Sequence, residues 1–151
     1  MKILGLDYGH KRIGLAFADE LGVAYPLQAA VEGDFEAKIA HIGREISARR
    51  PDKLLVGYPY NMDGSASEKM REVDEFIKTL KQRFGLEVET SDERLSSYQA
   101  ESDLAAFSAK RKNSKSVAAR KKYRRTGDLD SRAIALVLQD YIDSNPQIWS
   151  R

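Results

Sequence analysis

The chain has 151 residues, with 25 Lys and Arg against 23 Asp and Glu, no cysteine and a formal net charge of +2. This length predicts a single domain over residues 1–151 with one hydrophobic core. The lack of cysteine excludes a disulfide, a thiolate zinc site and a cysteine nucleophile. No apolar run reaches the roughly 20 residues that span a bilayer, and Asp7 interrupts the apolar N-terminus, so we expect no signal peptide. We therefore expect a cytoplasmic protein that does not contact membranes.

Three segments near the N-terminus have the pattern of β-strands. Lys2–Asp7 is a short apolar run, and Arg12–Asp19 alternates large apolar side chains with small ones. The four residues between them have the length and the glycine of a hairpin turn. Val23–Val31 is a third candidate strand, in which Pro26 favours a bend or a place at the edge of a sheet.

Helices and strands then alternate. Asp34 is a suitable N-cap, and apolar residues after it recur at spacings of four, three and four, which predicts a helix that Pro51 ends. Lys53–Gly57 is a continuous apolar run, typical of a strand covered on both faces. Ser65 and Glu68 form a capping box for the next helix. The residues that this second helix is predicted to bury are Met70, Val73, Ile77, Leu80 and Phe84.

The C-terminal half continues the alternation. Gly85 suits the end of the second helix, and Leu86–Thr90 has the pattern of a strand. Ser96 begins a predicted helix that runs to about Phe107, and Asp130–Ile142 is a strongly apolar helix. Three early strands followed by alternating helices and strands predict a layered α/β fold with a mixed sheet.

The net charge of +2 is unevenly distributed. Residues 110–125, which we call the basic segment, hold nine basic and no acidic residues, whereas residues 1–109 hold 14 basic and 19 acidic residues. Such a segment is either a solvated surface or a binding site for phosphates, since Lys and Arg gain affinity for nucleic acid by releasing condensed counterions. Its basic residues are Lys110, Arg111, Lys112, Lys115, Arg120, Lys121, Lys122, Arg124 and Arg125.

Several kinds of catalytic site are not indicated by the sequence. The two histidines, His10 and His41, are too far apart for a zinc-binding spacing; we expect His10 to be exposed in a turn, and His41 to be structural or on the surface, away from the buried helix face. The chain contains no P-loop and no glycine-rich dinucleotide motif after a strand. Nucleotide-triphosphate and dinucleotide sites of these types are therefore disfavoured.

Acidic residues remain as candidate catalytic groups. Asp7 ends the first strand, Glu93 follows the strand Leu86–Thr90, and Asp130 begins an apolar helix. Each alone is consistent with an ordinary loop acid or a first-turn acid stabilised by the helix dipole. Together they could place three carboxylates at one edge of the sheet, where carboxylate oxygens suit Mg²⁺ or Mn²⁺. Two such ions can promote phosphodiester hydrolysis without His or Cys.

Four motifs, in order and covering nearly the whole chain, resemble the YqgF-type or RuvX-like family of Holliday junction resolvases and nucleases that mature the 5′ end of pre-16S rRNA. The motifs are LDYGHKRIGLAFAD (Leu6–Asp19), GYPYNMDGS (Gly57–Ser65), SDERLSS (Ser91–Ser97) and LDSRAIALVLQDYI (Leu129–Ile142). The resemblance implies a ribonuclease H-like fold, with a mixed central sheet and helices on both faces. It also implies a metal-dependent nuclease.

The resemblance assigns roles to individual residues. Asp7, Glu93 and Asp130 would be the catalytic acids and the ligands of Mg²⁺ or Mn²⁺, although Asp128 lies two residues before Asp130 and could share its role. The nucleic-acid contacts outside the basic segment would be Lys11, Arg12, Asn61 and Arg94.

Three functions follow as alternatives. The first is a metal-dependent nuclease that acts on structured RNA, with pre-16S rRNA as the expected substrate. The second is a resolvase of four-way DNA, which would need a homodimer to present two sites to a two-fold symmetric substrate. The third is a non-catalytic RNA-binding or assembly factor, a role that the presence of all three acids disfavours. The sequence is compatible with a monomer or a homodimer.

Overall fold

A computed structural model describes residues 1–59, 68–92 and 128–149. Its strands are β1 (Ile3–Tyr8), β2 (Ile13–Ala18), β3 (Ala24–Ala30), β4 (Lys53–Tyr58) and β5 (Glu87–Asp92). Its helices are α1 (Phe35–Arg49), α2 (Glu68–Phe84), α3 (Asp128–Ser144) and α4 (Pro146–Trp149). None of the helices in these residue ranges combines the length and the apolarity needed to cross a membrane.

The five strands form one mixed sheet in the order β3-β2-β1-β4-β5. β1 pairs antiparallel with β2, and β2 pairs antiparallel with β3, which is the edge strand that contains Pro26, as predicted. β1, β4 and β5 run parallel to one another. Because they are parallel, their carboxyl ends meet at one edge of the sheet.

Apolar side chains cover both faces of this sheet. On one face, Leu4 and Leu6 of β1 pack in a core with α1 and α2. On the other face, Ile3 of β1 packs in a second core with Ile134 and Leu138 of α3. This alternation along β1 follows from the two-residue period of a strand. The predicted mixed sheet with helices on both faces is confirmed.

The helix predictions are confirmed in position and partly wrong in detail. α1 begins after Asp34, but the Asp34 side chain makes no capping hydrogen bond, and its backbone carbonyl instead accepts the Lys38 N–H at 3.0 Å. α2 buries Phe76, which the predicted apolar set omitted. Gly85 ends α2 with φ +64°, the left-handed backbone that favours glycine. Ser65 and the helix predicted from residue 96 lie outside the described residues.

The expectation that His41 lies away from the buried face of α1 was wrong, although its contact with Glu32 is a structural role, as expected. Its ring is buried, and Nδ1 lies 2.9 Å from Oε2 of Glu32. Burial is the largest single effect and acts to raise the pKa of Glu32, but the hydrogen bond to His41, a backbone hydrogen bond and the charges of His41 and Arg44 together leave the pKa of that carboxyl lowered. The charged partner, which is nine residues away in the sequence, allows a polar ring to be buried on α1.

A polar cluster of Lys53, Glu89 and Tyr141 links β4, β5 and α3. The Lys53 side chain is only 9% exposed, and its ammonium donates to Glu89 Oε2 at 3.0 Å and to the Tyr141 hydroxyl. A hydrogen bond from Tyr141 lowers the pKa of Glu89, partial desolvation opposes this, and the Lys53 ammonium lowers the pKa further. The Glu89 carboxylate therefore contributes to the stability of the cluster only while it is ionised.

We expect the Glu89→Gln variant to reveal this dependence on pH. A carboxyl with a lowered folded-state pKa contributes its stability fully above its unfolded-state pKa of about 4.3, and loses it as the pH falls through the folded-state value. The difference in unfolding free energy between wild type and variant should be constant above about pH 5 and shrink below about pH 4. Urea unfolding over this range measures it, and a difference that does not change with pH would contradict the assignment.

Candidate active site

Asp7 lies near the carboxyl end of β1, on the sheet face that α3 covers. Side chains two residues apart along a strand share a face, so Asp7 shares the face of Gly5. An ideal Cβ at Gly5 would lie 3.0 Å from Cγ1 of Ile134, which shows how closely α3 approaches this face. Asp7 therefore points to the same side of the sheet as the start of α3.

Gly14 connects Asp7 with Asp130. Gly14 is the antiparallel partner of Asp7 in the β1–β2 ladder, and such partners have Cα atoms about 4.5–5.5 Å apart. An ideal Cβ at Gly14 would lie 2.5 Å from the carbonyl carbon of Asp130 and 2.7 Å from the backbone nitrogen of Ser131. The first turn of α3 thus lies directly against β2 at the residue facing Asp7. The structure brings Asp7 and Asp130 to the same edge of the sheet.

A buried hydrogen bond fixes this contact. The backbone N–H of Leu15 donates to Oγ of Ser131 at 3.1 Å, and Ser131 is 1% exposed. Ser131 follows Asp130 directly, so the bond holds the helix turn that carries the Asp130 carboxylate. Without this bond, the buried N–H of Leu15 would have no acceptor, which would lower the free energy of unfolding by about 1–3 kcal/mol.

A cation lies beside Asp130. Nε of Arg12 is 3.4 Å from Oδ2 of Asp130, and both side chains are about one-third exposed. Lys11, its neighbour in the predicted basic pair, is exposed in the turn between β1 and β2. The guanidinium of Arg12 therefore offsets the negative charge of Asp130 at the edge where a phosphate could approach.

Most other predicted site residues lie outside the described residues. These are Asn61, Glu93, Arg94 and the whole basic segment, Lys110, Arg111, Lys112, Lys115, Arg120, Lys121, Lys122, Arg124 and Arg125. The backbone of β5 ends at Asp92, which is paired with Tyr58 at the end of β4. Glu93 follows directly in the sequence, so β5 leads towards the edge that holds Asp7. The side chain of Asp128 is also outside the described part.

The described carboxylates suit a magnesium ion. Within residues 1–59, 68–92 and 128–149, no group of three or more His, Cys, Asp or Glu side chains forms a metal site. Mg²⁺ is commonly held by one or two carboxylates together with waters and substrate phosphates. Asp7 and Asp130, two partly exposed oxygen donors at an open sheet edge, fit that pattern.

Sequence reasoning missed the two residues that position Asp130. A glycine inside a strand often marks a close approach of another backbone, so Gly14 carried a usable signal. Ser131 carried none, because its partner Leu15 is 116 residues away in the sequence. Only the packing of α3 against β2 reveals its role.

Comparison with known proteins gives consistent similarities. A family model described as "RuvX: Holliday junction resolvase" matches residues 1–144. A protein of Opitutus terrae named "Putative pre-16S rRNA nuclease" is 41% identical over 144 residues, which cover 95% of this chain and 92% of that protein. A protein of Picosynechococcus sp. with the same name is 38% identical over 144 residues, covering 93% of this chain and 91% of that protein.

Solved structures share the fold at low sequence identity. The Fowlpox virus resolvase in complex with Holliday junction DNA matches with a TM-score of 0.55 and 15% identity, covering 95% of this chain and 98% of that chain. Thermus thermophilus RuvC matches with a TM-score of 0.51 and 17% identity, covering 97% of each chain. These similarities confirm the ribonuclease H-like fold.

Proposed function

Because the chain belongs to the RuvX family, a family of nucleases, we propose that it hydrolyses phosphodiester bonds of pre-16S rRNA with the help of a divalent metal ion. The observation that carries this proposal is the meeting of Asp7 and Asp130 around Gly14. Two acids from distant parts of the chain share an open sheet edge, and a phosphate can reach that edge from solvent.

The acids would hold Mg²⁺ or Mn²⁺, with Glu93 as the third ligand. When bound, the ion supplies Lewis-acid stabilisation of the phosphate oxygens. The protein contributes the fixed positions of its carboxylates. Asp7 is held by the β1–β2 ladder, and Asp130 is held by the bond between Ser131 and Leu15. Arg12, 3.4 Å from Asp130, would orient that carboxylate and contact a substrate phosphate.

Nucleic-acid contacts would extend from this edge. Lys11 lies exposed beside Arg12 and would bind a backbone phosphate, and Asn61 and Arg94 would contact the substrate near the metal ligands. The basic segment would supply affinity without sequence choice, because phosphate contacts position a nucleic acid and base contacts specify it.

RNA is the favoured substrate, with four-way DNA as the second candidate. The relatives at 41% and 38% identity are named for pre-16S rRNA, which supports RNA and a cytoplasmic site of action. The family description and the DNA complex of the Fowlpox virus resolvase favour a DNA junction. A resolvase would act as a homodimer on its two-fold symmetric substrate, whereas a monomer suffices to cut one RNA strand.

Cleavage of two substrates tests the proposal. The wild-type protein is incubated with a precursor RNA that carries the 5′ extension, or with a four-way DNA junction, in Mg²⁺, in Mn²⁺ and with chelator. We expect metal-dependent cleavage of the precursor and much slower cleavage of the junction. If neither substrate is cut in the presence of metal, the proposed nuclease activity is contradicted. Faster cutting of the junction, by a protein that sediments as a dimer, would favour the resolvase instead.

A further inference from the structure

A cleft that the proposed hydrolysis does not use lies on the opposite face of the same sheet edge. It consists of two adjoining parts, of about 320 and 240 Å³, that share Tyr8 and Glu72. One part extends along α2 to Phe35 at the start of α1, and the other extends over the β1–β2 turn to His10. The cleft therefore begins at the carboxyl end of β1 and runs beside α2.

The cleft begins at Tyr8, one residue along β1 from Asp7 of the proposed catalytic edge. Tyr8 follows Asp7, and successive side chains of a strand point to opposite faces. Asp7 faces α3, while Tyr8 packs with the core that contains α1 and α2. Consecutive Cα atoms are about 3.8 Å apart. A nucleic-acid strand with a phosphate at Asp7 could therefore turn a neighbouring base around the edge into the cleft.

Aromatic rings form its walls. The ring of Tyr8 lies with its centroid 4.9 Å from that of Phe76, tilted by 34°, and 6.5 Å from that of His10. Phe35 is 39% exposed at the other end of the cleft. Nucleobases stack on such rings in single-strand binding proteins, and this stacking tolerates any base because each has a π-face.

Acidic groups outnumber basic ones in the cleft. The lining holds the carboxylates of Glu68, Glu72 and Glu75 beside the cations of Arg71 and Lys69. The carboxylates would accept hydrogen bonds from the amino groups of a base, whereas they would repel a phosphate. Oε2 of Glu72 is 3.0 Å from Nε2 of His10, which fixes the carboxylate at the junction of the two parts.

We propose that this cleft binds an unpaired nucleobase of the substrate next to the scissile phosphate, stacked on Tyr8 and hydrogen-bonded to Glu72. The inference rests on the proposed function, because it takes the nucleic acid at the Asp7 edge as its starting point. It adds a base-binding site to a nuclease whose other proposed contacts are mainly to phosphates.

An abasic scan tests the site by binding alone. A fluorescein-labelled RNA with the precursor's 5′ extension carries one abasic nucleotide, moved stepwise through the cleavage region, and affinity is measured by anisotropy in chelator. We expect the wild type to lose about 5- to 150-fold in affinity at one position. Tyr8→Leu should bind the intact RNA more weakly than wild type does, and it should lose less affinity than wild type at that position, because only the contact with Glu72 remains to be lost. The control Tyr25→Leu removes an exposed aromatic ring on β3, outside the cleft, and should behave as wild type.

Further outcomes separate this inference from the proposed function. If Tyr8→Leu does not fold, Phe35→Ala removes an exposed wall of the same cleft and should weaken the same abasic dependence. Equal abasic profiles for wild type and every cleft variant would overturn the base site, even if the RNA is cut. If the loss of affinity at the abasic position depends on Tyr8 but the protein does not cut RNA in the presence of metal, the base site is supported and the proposed nuclease activity is overturned. If the cleft instead binds an apolar peptide, the cleft variants and the wild type should give the same abasic profiles with RNA, a result that also overturns the proposal.

Discussion

Gly14→Ala should destabilise the protein by about 2 kcal/mol or more and should remove most of its nuclease activity. The added Cβ would lie 2.5 Å from the carbonyl carbon and 2.6 Å from the carbonyl oxygen of Asp130. These are backbone atoms, so the first turn of α3 must move away from β2. That movement would lengthen the buried bond from Leu15 to Ser131 and displace the Asp130 carboxylate from Asp7. A displacement of about 1 Å in a catalytic group can reduce the rate about a hundredfold.

Gly33→Ala is the matched control for this prediction. An ideal Cβ at Gly33 has no heavy atom within 4 Å, so the same chemical change meets open space. Urea unfolding should show a loss of stability for Gly14→Ala and little change for Gly33→Ala. Cleavage rates at a temperature where both variants are folded then separate misplacement of Asp130 from unfolding. Wild-type stability and cleavage in Gly14→Ala would show that α3 can shift without consequence.

Local pattern predicted much of this fold. The hairpin of β1 and β2, the edge position of Pro26 and the end of α2 at Gly85 all follow from residue type and spacing over a few positions. The acids at the end of β1 and the start of α3 were also visible in the sequence. Their positions in the sequence allowed a shared edge of the sheet but did not require it.

Contacts between distant segments were not accessible in the same way. Phe76 is buried because β1 and α2 converge, and helical spacing alone favoured other positions on α2. His41 is buried because Glu32 lies beside it, a pairing that depends on how β3 leads into α1. Ser131 shows its role only through its bond to Leu15, 116 residues away. Long-range packing decides which of several compatible local patterns is realised.

Asp7→Asn and Asp130→Asn should each reduce metal-dependent cleavage about a thousandfold or more while leaving the fold intact. The change keeps the shape of the side chain and removes the negative charge that would hold the metal ion. A metal ion contributes several kcal/mol of transition-state stabilisation, and about 4 kcal/mol corresponds to roughly a thousandfold in rate. The Asp130 carboxylate is about one-third exposed, so its loss should cost little stability.

Asp128→Asn distinguishes the two acids at the start of α3. Asp130 is four residues before Ile134 on α3, whose side chain packs on the Gly5 face of β1, and it lies against Gly14. If Asp130 is the ligand, Asp128→Asn should keep cleavage close to wild type and keep wild-type affinity for Mn²⁺ in calorimetry. Asp130→Asn should lose both. The reverse result would assign the role of metal ligand to Asp128 instead. If Asp7→Asn and Asp130→Asn both cleave RNA as fast as wild type, the proximity of these two acids at Gly14 does not serve catalysis.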